Sequence, residues 1–312
     1  MTNNNAKIME QKNLELVELY MNELKNQGKS NNTMKNYIID LRAFVQFLGE
    51  TSIQEAKPIN ALEFRNYLRN EKQMKAASVN RKIASAKSMY KFLVGLKIVN
   101  ENIFKDVENV KPQQGEVKEK TILSKEEINI LIKSIETSSP TNKDHTNSFV
   151  IARDLLLVNF LVGVGVRIDE ALTLKKKQID FENQSVVLGT KSGERTVPLT
   201  DKVKELYFKY IREYEEKFGI INDNDLVFVS VNGEMLYNSN VIARLVKYCE
   251  LGGLPRVTAH CLRHTFATLM INNGTPLTQV SKILGHSSEK ITYKVYVHSD
   301  NKANLEACNN LF

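Results

Sequence analysis

Between residues 108 and 121 the chain reads ENVKPQQGEVKEKT, which is polar, holds a proline and a glycine, and has no apolar period. A stretch of this kind cannot bury a hydrophobic face. It reads as a linker (108–121), and the chain on either side of it, 12–107 and 122–312, must build its own core. At 312 residues there is enough chain for two cores. With 42% hydrophobic and 25% charged residues the chain is composed as a soluble globular protein. No apolar run reaches the length of a membrane span, and the opening MTNNNAKIMEQKN lacks the apolar region of a secretory signal. Cys249, Cys261 and Cys308 have no metal-ligand spacing. The expectation is a cytoplasmic protein with reduced thiols, no metal and no cofactor.

The first part is helical by period. Leu14, Val17, Met21 and Leu24 share one helical face, as do Met34, Tyr37, Leu41, Phe44 and Leu48 after the polar start Ser30-Asn31-Asn32. Leu62, Phe64, Tyr67 and Leu68 suggest a shorter third helix, and Val79, Ile83, Ala86, Tyr90 and Leu93 a fourth. Four such helices can pack as an all-α bundle. Opposite the last apolar stripe lie Arg81, Lys82, Lys87 and Lys91, a basic face suited to a phosphate backbone. The charge distribution agrees. Residues 1–100 carry 16 Lys and Arg against 9 Asp and Glu, while the rest of the chain carries 27 of each, so the whole excess of +7 lies in the first hundred.

The second part is mixed. Ser124-Lys125-Glu126-Glu127 has the spacing of a capping box before an apolar run. Residues 147–162 form a strongly apolar helix, which Gly163 and Gly165 break before RIDEALTL resumes a helical pattern. Residues 185–188 and 195–199 read as strands of a hairpin around Thr190-Lys191-Ser192-Gly193-Glu194. Residues 201–218 are helical, Leu226–Val229 is a short β-type run, and the remainder is helical. Helices, a small antiparallel sheet, then helices again make a mainly-α α+β domain.

Five places in this second part carry cations, donors or a nucleophile. Arg167 follows a glycine turn at a helix start, where backbone N–H groups also favour an anion, and Glu170 is placed to orient it. Lys191 lies in the hairpin turn, where an ammonium can donate a proton. His260 and Arg263 are three apart in a helix that Thr258 can cap. His286 follows Gly285 at a helix end. Tyr296 lies ten residues further on, and Tyr293 just before it. Each pattern is common by itself. Together they supply what phosphodiester cleavage needs without a metal: a nucleophile, cations for the charge that builds on the non-bridging oxygens, a proton donor and a proton acceptor.

In order and wording, GVRIDEALTL, GTKSGERTVPL, HCLRHTFATLM, LGHSS and the closing YVH resemble the tyrosine recombinase (lambda integrase-like) family. NTMKNYIIDLRAFVQFL and SVNRKIASAKSMYKFL resemble its SAM-like core-site DNA-binding domain. The resemblance spans roughly residues 12–300. It implies a catalytic set of Arg167, Lys191, His260, Arg263, His286 and the nucleophile Tyr296, with Glu170 and His264 in support. It also implies a clamp around duplex DNA, a 3′-phosphotyrosyl intermediate, a four-way junction within a homotetramer formed on DNA by a free monomer, and a tail (299–312) that docks on a neighbouring subunit. The hairpin from Lys191 to Arg195 is one residue tighter than the commonest form in that family. With about a dozen residues before the first helix, no separate arm-site-binding domain is expected. This favours a simple recombinase, Xer-like or carried by a plasmid, phage or transposon, and the wording of GVGVRIDEALTL, not especially Xer-like, leans to a mobile element. An accessory DNA-bending or recombinase partner is in keeping with the resemblance. A type IB topoisomerase shares the chemistry but not the assembly tail, a DNA-binding regulator would not need the nucleophile set, and a metal-dependent nuclease would need clustered carboxylates.

Overall fold

The computed structural model describes residues 2–113, 115–116, 121–138, 146–190 and 193–285. Two compact units divide the chain, Met1–Glu119 and Lys120–Phe312. No described helix is long and apolar enough to cross a membrane.

The first unit is all helical: α1 (Thr2–Asn26), α2 (Asn31–Leu48), α3 (Pro58–Asn66), a π turn (Tyr67–Glu71) and α4 (Ala76–Gly95). Its core is built by the stripes read from the sequence. Val17, Leu24, Leu41, Phe44 and Leu48 are buried, as are Val79, Ile83, Ala86, Tyr90 and Leu93, and Phe44 meets Phe64, Tyr90 and Phe104 edge-on. Ser30 caps α2, accepting from the Thr33 amide. Leu62 departs from expectation and lies exposed, because Ala61, Phe64 and Leu68 take the inner positions of α3 and the π turn.

The basic face of α4 needs a correction. Lys82 is buried, with its ammonium 3.0 Å from Oδ1 of Asp40. Asp40, buried on α2, also accepts from Arg81 at 2.8 Å and from the Ser85 hydroxyl at 3.0 Å. A buried carboxylate must be paired, so it draws two cations of α4 onto itself. Lys87 donates to the Lys105 carbonyl at 2.6 Å, and Lys91 stays exposed.

The segment after α4 is tied down at two points. Asn80 donates to the Val110 carbonyl at 2.9 Å and accepts from its amide at 2.8 Å. Glu116 accepts from the Ala76 amide at 2.9 Å and from Arg69 at 2.5 Å. Part of the polar stretch that reads as a linker is therefore held on the first unit by side-chain hydrogen bonds, which leave no apolar period in the sequence.

The second unit opens with α5 (Lys125–Glu136), capped by the expected box: the Ser124 hydroxyl accepts from the Glu127 amide at 3.2 Å, and Glu127 accepts from the Ser124 amide at 2.8 Å. Then follow α6 (Thr146–Val164), α7 (Ile168–Leu172), β1 (Ile179–Asp180), β2 (Ser185–Thr190), β3 (Gly193–Pro198), α8 (Asp201–Phe218), α9 (Asn238–Leu251), α10 (Ala259–Asn272) and α11 (Leu277–Leu284). Gly163 stays inside α6, and Gly165, at φ +72°, makes the break. The sheet is antiparallel in the order β1-β2-β3, with Val186 opposite Val197 and Leu188 opposite Arg195. β1 was not legible in the sequence. The run 226–229 makes only isolated bridges, Lys175 with Leu226 and Val229 with Met235. The fold class nevertheless stands: a helical N-terminal unit and a mainly-α unit with a small antiparallel sheet.

α6 is apolar nearly all round and forms the spine of this core, packed by α5, α8 and α10. Two of its polar residues, Arg153 and Asp154, anchor a buried network. Asp154 pairs with Arg153 at 2.8 Å, accepts from the Tyr248 hydroxyl at 2.6 Å, and pairs with Arg244 of α9, while Arg153 also donates to the Val229 carbonyl at 2.9 Å.

Candidate active site

The site is assembled where α7, β3, α10 and α11 meet. Arg167 is the N-cap of α7, and Glu170 closes the cap from the third position. The Glu170 carboxylate accepts from the Arg167 amide at 2.7 Å and from its guanidinium at 2.8 Å. One carboxylate thus fixes both the backbone and the side chain of the same arginine. The Arg167 side chain remains 42% exposed, while Glu170 is buried.

Burial alone would raise the Glu170 carboxyl. The Arg167 amide and the Arg195 guanidinium outweigh it and hold the group below its ordinary range. Glu170 is therefore a carboxylate at neutral pH.

Arg195 is the residue that sequence reasoning missed. It donates to Glu170 Oε2 at 2.5 Å. Its signal was present in GERTVPL. Along β3 side chains alternate, so Arg195 and Val197 face inward, and Leu199 just past the strand is buried as well. An arginine at an inward strand position must find an anion or carbonyl, and it finds both.

α10 begins at Thr258, whose hydroxyl accepts from the Cys261 amide at 3.2 Å. Arg263 turns inward and is buried, donating to the Gly165 carbonyl at 2.6 Å and to the Leu284 carbonyl at 2.5 Å. Phe266, one turn on, lies against Gly165; a Cβ there would sit 2.2 Å from its ring. The glycine turn thus allows α10 to approach closely enough for Arg263 to reach its carbonyl. Thr265, fully buried, accepts from the Leu123 amide at 3.1 Å and anchors the start of the unit to this helix. His260 is exposed, and the ring it meets is that of His264. Their Nε2 atoms are 2.8 Å apart and the rings edge-on. In that contact one imidazole must donate and the other accept.

α11 ends at Gly285 in the left-handed conformation, its amide turned back to the Ser281 and Lys282 carbonyls. The next three carbonyls each receive an arginine: Ile283 from Arg195, Leu284 from Arg263 and Gly285 from Arg167 at 3.1 Å. Guanidinium groups suit the negative end of a helix. The structure thereby brings together Arg167, Glu170, Arg195 and Arg263. Lys191, His286, Tyr293, Tyr296 and the tail lie outside the described residues.

Comparison with known proteins decides the family. Residues 121–303 match the phage integrase family, and residues 17–96 match the phage integrase N-terminal SAM-like domain. The chain belongs to the phage integrase family. As a member it is a site-specific tyrosine recombinase, an enzyme of DNA recombination. Tyrosine recombinase XerC of Staphylococcus aureus (strain JH9) is 32% identical over 298 residues, which cover 91% of this chain and 92% of the relative. Among solved structures, the Tn1549 transposon integrase in complex with transposon right end DNA matches at a TM-score of 0.74 and 20% identity, covering 95% of this integrase and 99% of that chain. XerH bound to palindromic difH substrate, a post-cleavage complex, matches at 0.73 and 22%, covering 94% and 83%. These two likenesses are of fold. In this recombinase the two-unit layout, helical first and α+β second, is the one they share.

Proposed function

We propose that this integrase cuts and rejoins duplex DNA at a specific core site through Tyr296, which attacks a phosphate to leave a 3′-phosphotyrosyl bond and a free 5′-hydroxyl. Arg167 and Arg263 hold the non-bridging oxygens, with His286 completing the grip. His260 takes the tyrosine proton, supported by His264, and Lys191 protonates the departing 5′-oxygen. The attack exchanges one P–O ester bond for another, so no ATP is needed, and the arginines supply the charge neutralisation that a metal would otherwise give. The reverse attack by a 5′-hydroxyl from a second site restores the tyrosine and joins the new strand.

One observation carries this reading. Arg167, at the N-cap of α7, and Arg263, within α10, converge on adjoining carbonyls, Gly285 and Leu284, at the end of α11. Two arginines facing one small region are what a pentacoordinate phosphorus with spread negative charge requires.

On this reading the monomer assembles as a homotetramer on two core sites and passes through a Holliday junction. Lys87 and Lys91, with the exposed part of Arg81, run along the phosphate backbone in the first unit. The enzyme acts in the cytoplasm for integration, excision or resolution of a mobile element or replicon, with or without an accessory DNA-bending or recombinase partner.

Trapping of a covalent protein–DNA adduct tests it. A nicked duplex built from sequence flanking the protein's own gene is incubated with wild type, Tyr296→Phe and Tyr293→Phe in the presence of chelator. An adduct lost only in Tyr296→Phe supports the reading. Loss only in Tyr293→Phe moves the nucleophile, and no adduct on DNA that the protein binds removes the proposed chemistry.

A further inference from the structure

Of the three arginines on the end of α11, two are assigned to phosphate above, and Arg195 is not. Its side chain is 9% exposed, against 42% for Arg167, and its Nε is buried with no hydrogen-bond partner among the described residues. Its two Nη atoms are divided between elements, one on Glu170 Oε2 of α7 and one on the Ile283 carbonyl of α11. A planar fork can join two acceptors at a fixed separation, whereas an ammonium has one centre to offer.

Glu170 is thereby pinned from both sides. Oε1 receives the Arg167 guanidinium, and Oε2 receives the Arg167 amide and Arg195. Without Arg195 the carboxylate would keep only contacts from the residue it is meant to orient. Gly285 carries a second mark of the same arrangement. A Cβ there would lie 2.5 Å from Arg195 Cδ and 2.8 Å from its Nε, so the close passage of this side chain, as well as the φ of +62°, requires glycine.

We propose that Arg195 is a positioning residue for strand cleavage, which locks Glu170 to the end of α11 and so holds Arg167 in the orientation that meets the phosphate. The inference rests on the reading that Arg167 grips the scissile phosphate. Arg195 itself touches no reacting atom.

The test uses the full-length protein and the nicked duplex described above, measuring single-turnover adduct formation separately from DNA affinity. The proteins are wild type, Arg195→Ala, Arg195→Lys, Arg167→Lys and the double variant Arg167→Lys/Arg195→Lys. Misplacement of a catalytic group by about 1 Å can cost on the order of 100-fold in rate, so Arg195→Ala should slow cleavage by about that factor. Its DNA affinity should stay within about twofold, because only the orientation of Arg167 is disturbed. Arg195→Lys should fall between, and the double variant should be no slower than the slower single one, because Arg195 acts through Arg167.

Independent, multiplicative losses in the double variant would overturn the proposal. So would a lower melting temperature with an unchanged rate in the folded fraction, which is the signature of a scaffold role alone. If Arg195→Ala does not fold, the Lys variant and its cycle with Arg167→Lys carry the test. Wild type that forms no adduct would remove the underlying reading, whereas wild type that cuts while the Arg195 variants cut equally well would remove only this inference.

Discussion

Arg263 donates a hydrogen bond to the carbonyl of Gly165 at 2.6 Å, joining α10 to the turn that launches α7. The bond exists because residue 165 has no side chain. Phe266 fills the space where a Cβ would be, and the backbone there has a positive φ of 72°.

Gly165→Ala should therefore damage stability and chemistry together. Strain at the positive φ and the clash with Phe266 should cost about 3 kcal/mol, and retreat of α10 should take Arg263 off its carbonyl. Thermal unfolding and adduct formation should both fall; a melting temperature equal to wild type would refute the packing argument.

Glu170 makes the site sensitive to acid. Its carboxyl lies below the ordinary value in the folded protein, so it contributes stability that is fully present above that value and lost as pH falls through the lower, folded one. Glu170→Gln should be less stable than wild type at pH 7, and the gap should close in acid below the ordinary carboxylate range. Urea unfolding midpoints at pH 7 and pH 3 measure the gap, and a gap of constant size would contradict the assignment.

In the second core, Asp154 compensates Arg153 and Arg244 together and accepts from Tyr248. Asp154→Asn leaves two largely buried cations on a neutral amide and should cost about 3 kcal/mol. The denaturant midpoint should drop without a change in slope, whereas an unshifted midpoint would mean that the network contributes nothing net.

The lysines of α4 should separate by function. Lys82 is committed to Asp40, so Lys82→Ala should cost about 2 kcal/mol of stability and leave the salt dependence of DNA binding as it was. Lys91 is exposed, and Lys91→Ala should leave stability within about 0.5 kcal/mol while lowering the salt slope of binding by about 1. The opposite pattern would restore Lys82 to the DNA face.

Local rules carried the reading a long way. The apolar stripes of the first unit, the Ser124–Glu127 box, the Thr258 cap, the Gly285 stop and the Arg167–Glu170 pairing all follow from spacings of three or four residues, which backbone geometry sets by itself. The wording of the catalytic boxes identified the family for the same reason, since each box is a short contiguous piece of chain. Which cation meets which acceptor is a different matter. Lys82 was drawn inward by Asp40, Arg195 was turned to Ile283 and Glu170, and Arg263 was joined to Gly165. A charge facing the interior takes whatever carboxylate or carbonyl the fold delivers there, and those partners come from tens of residues away, so only the tertiary structure could name them.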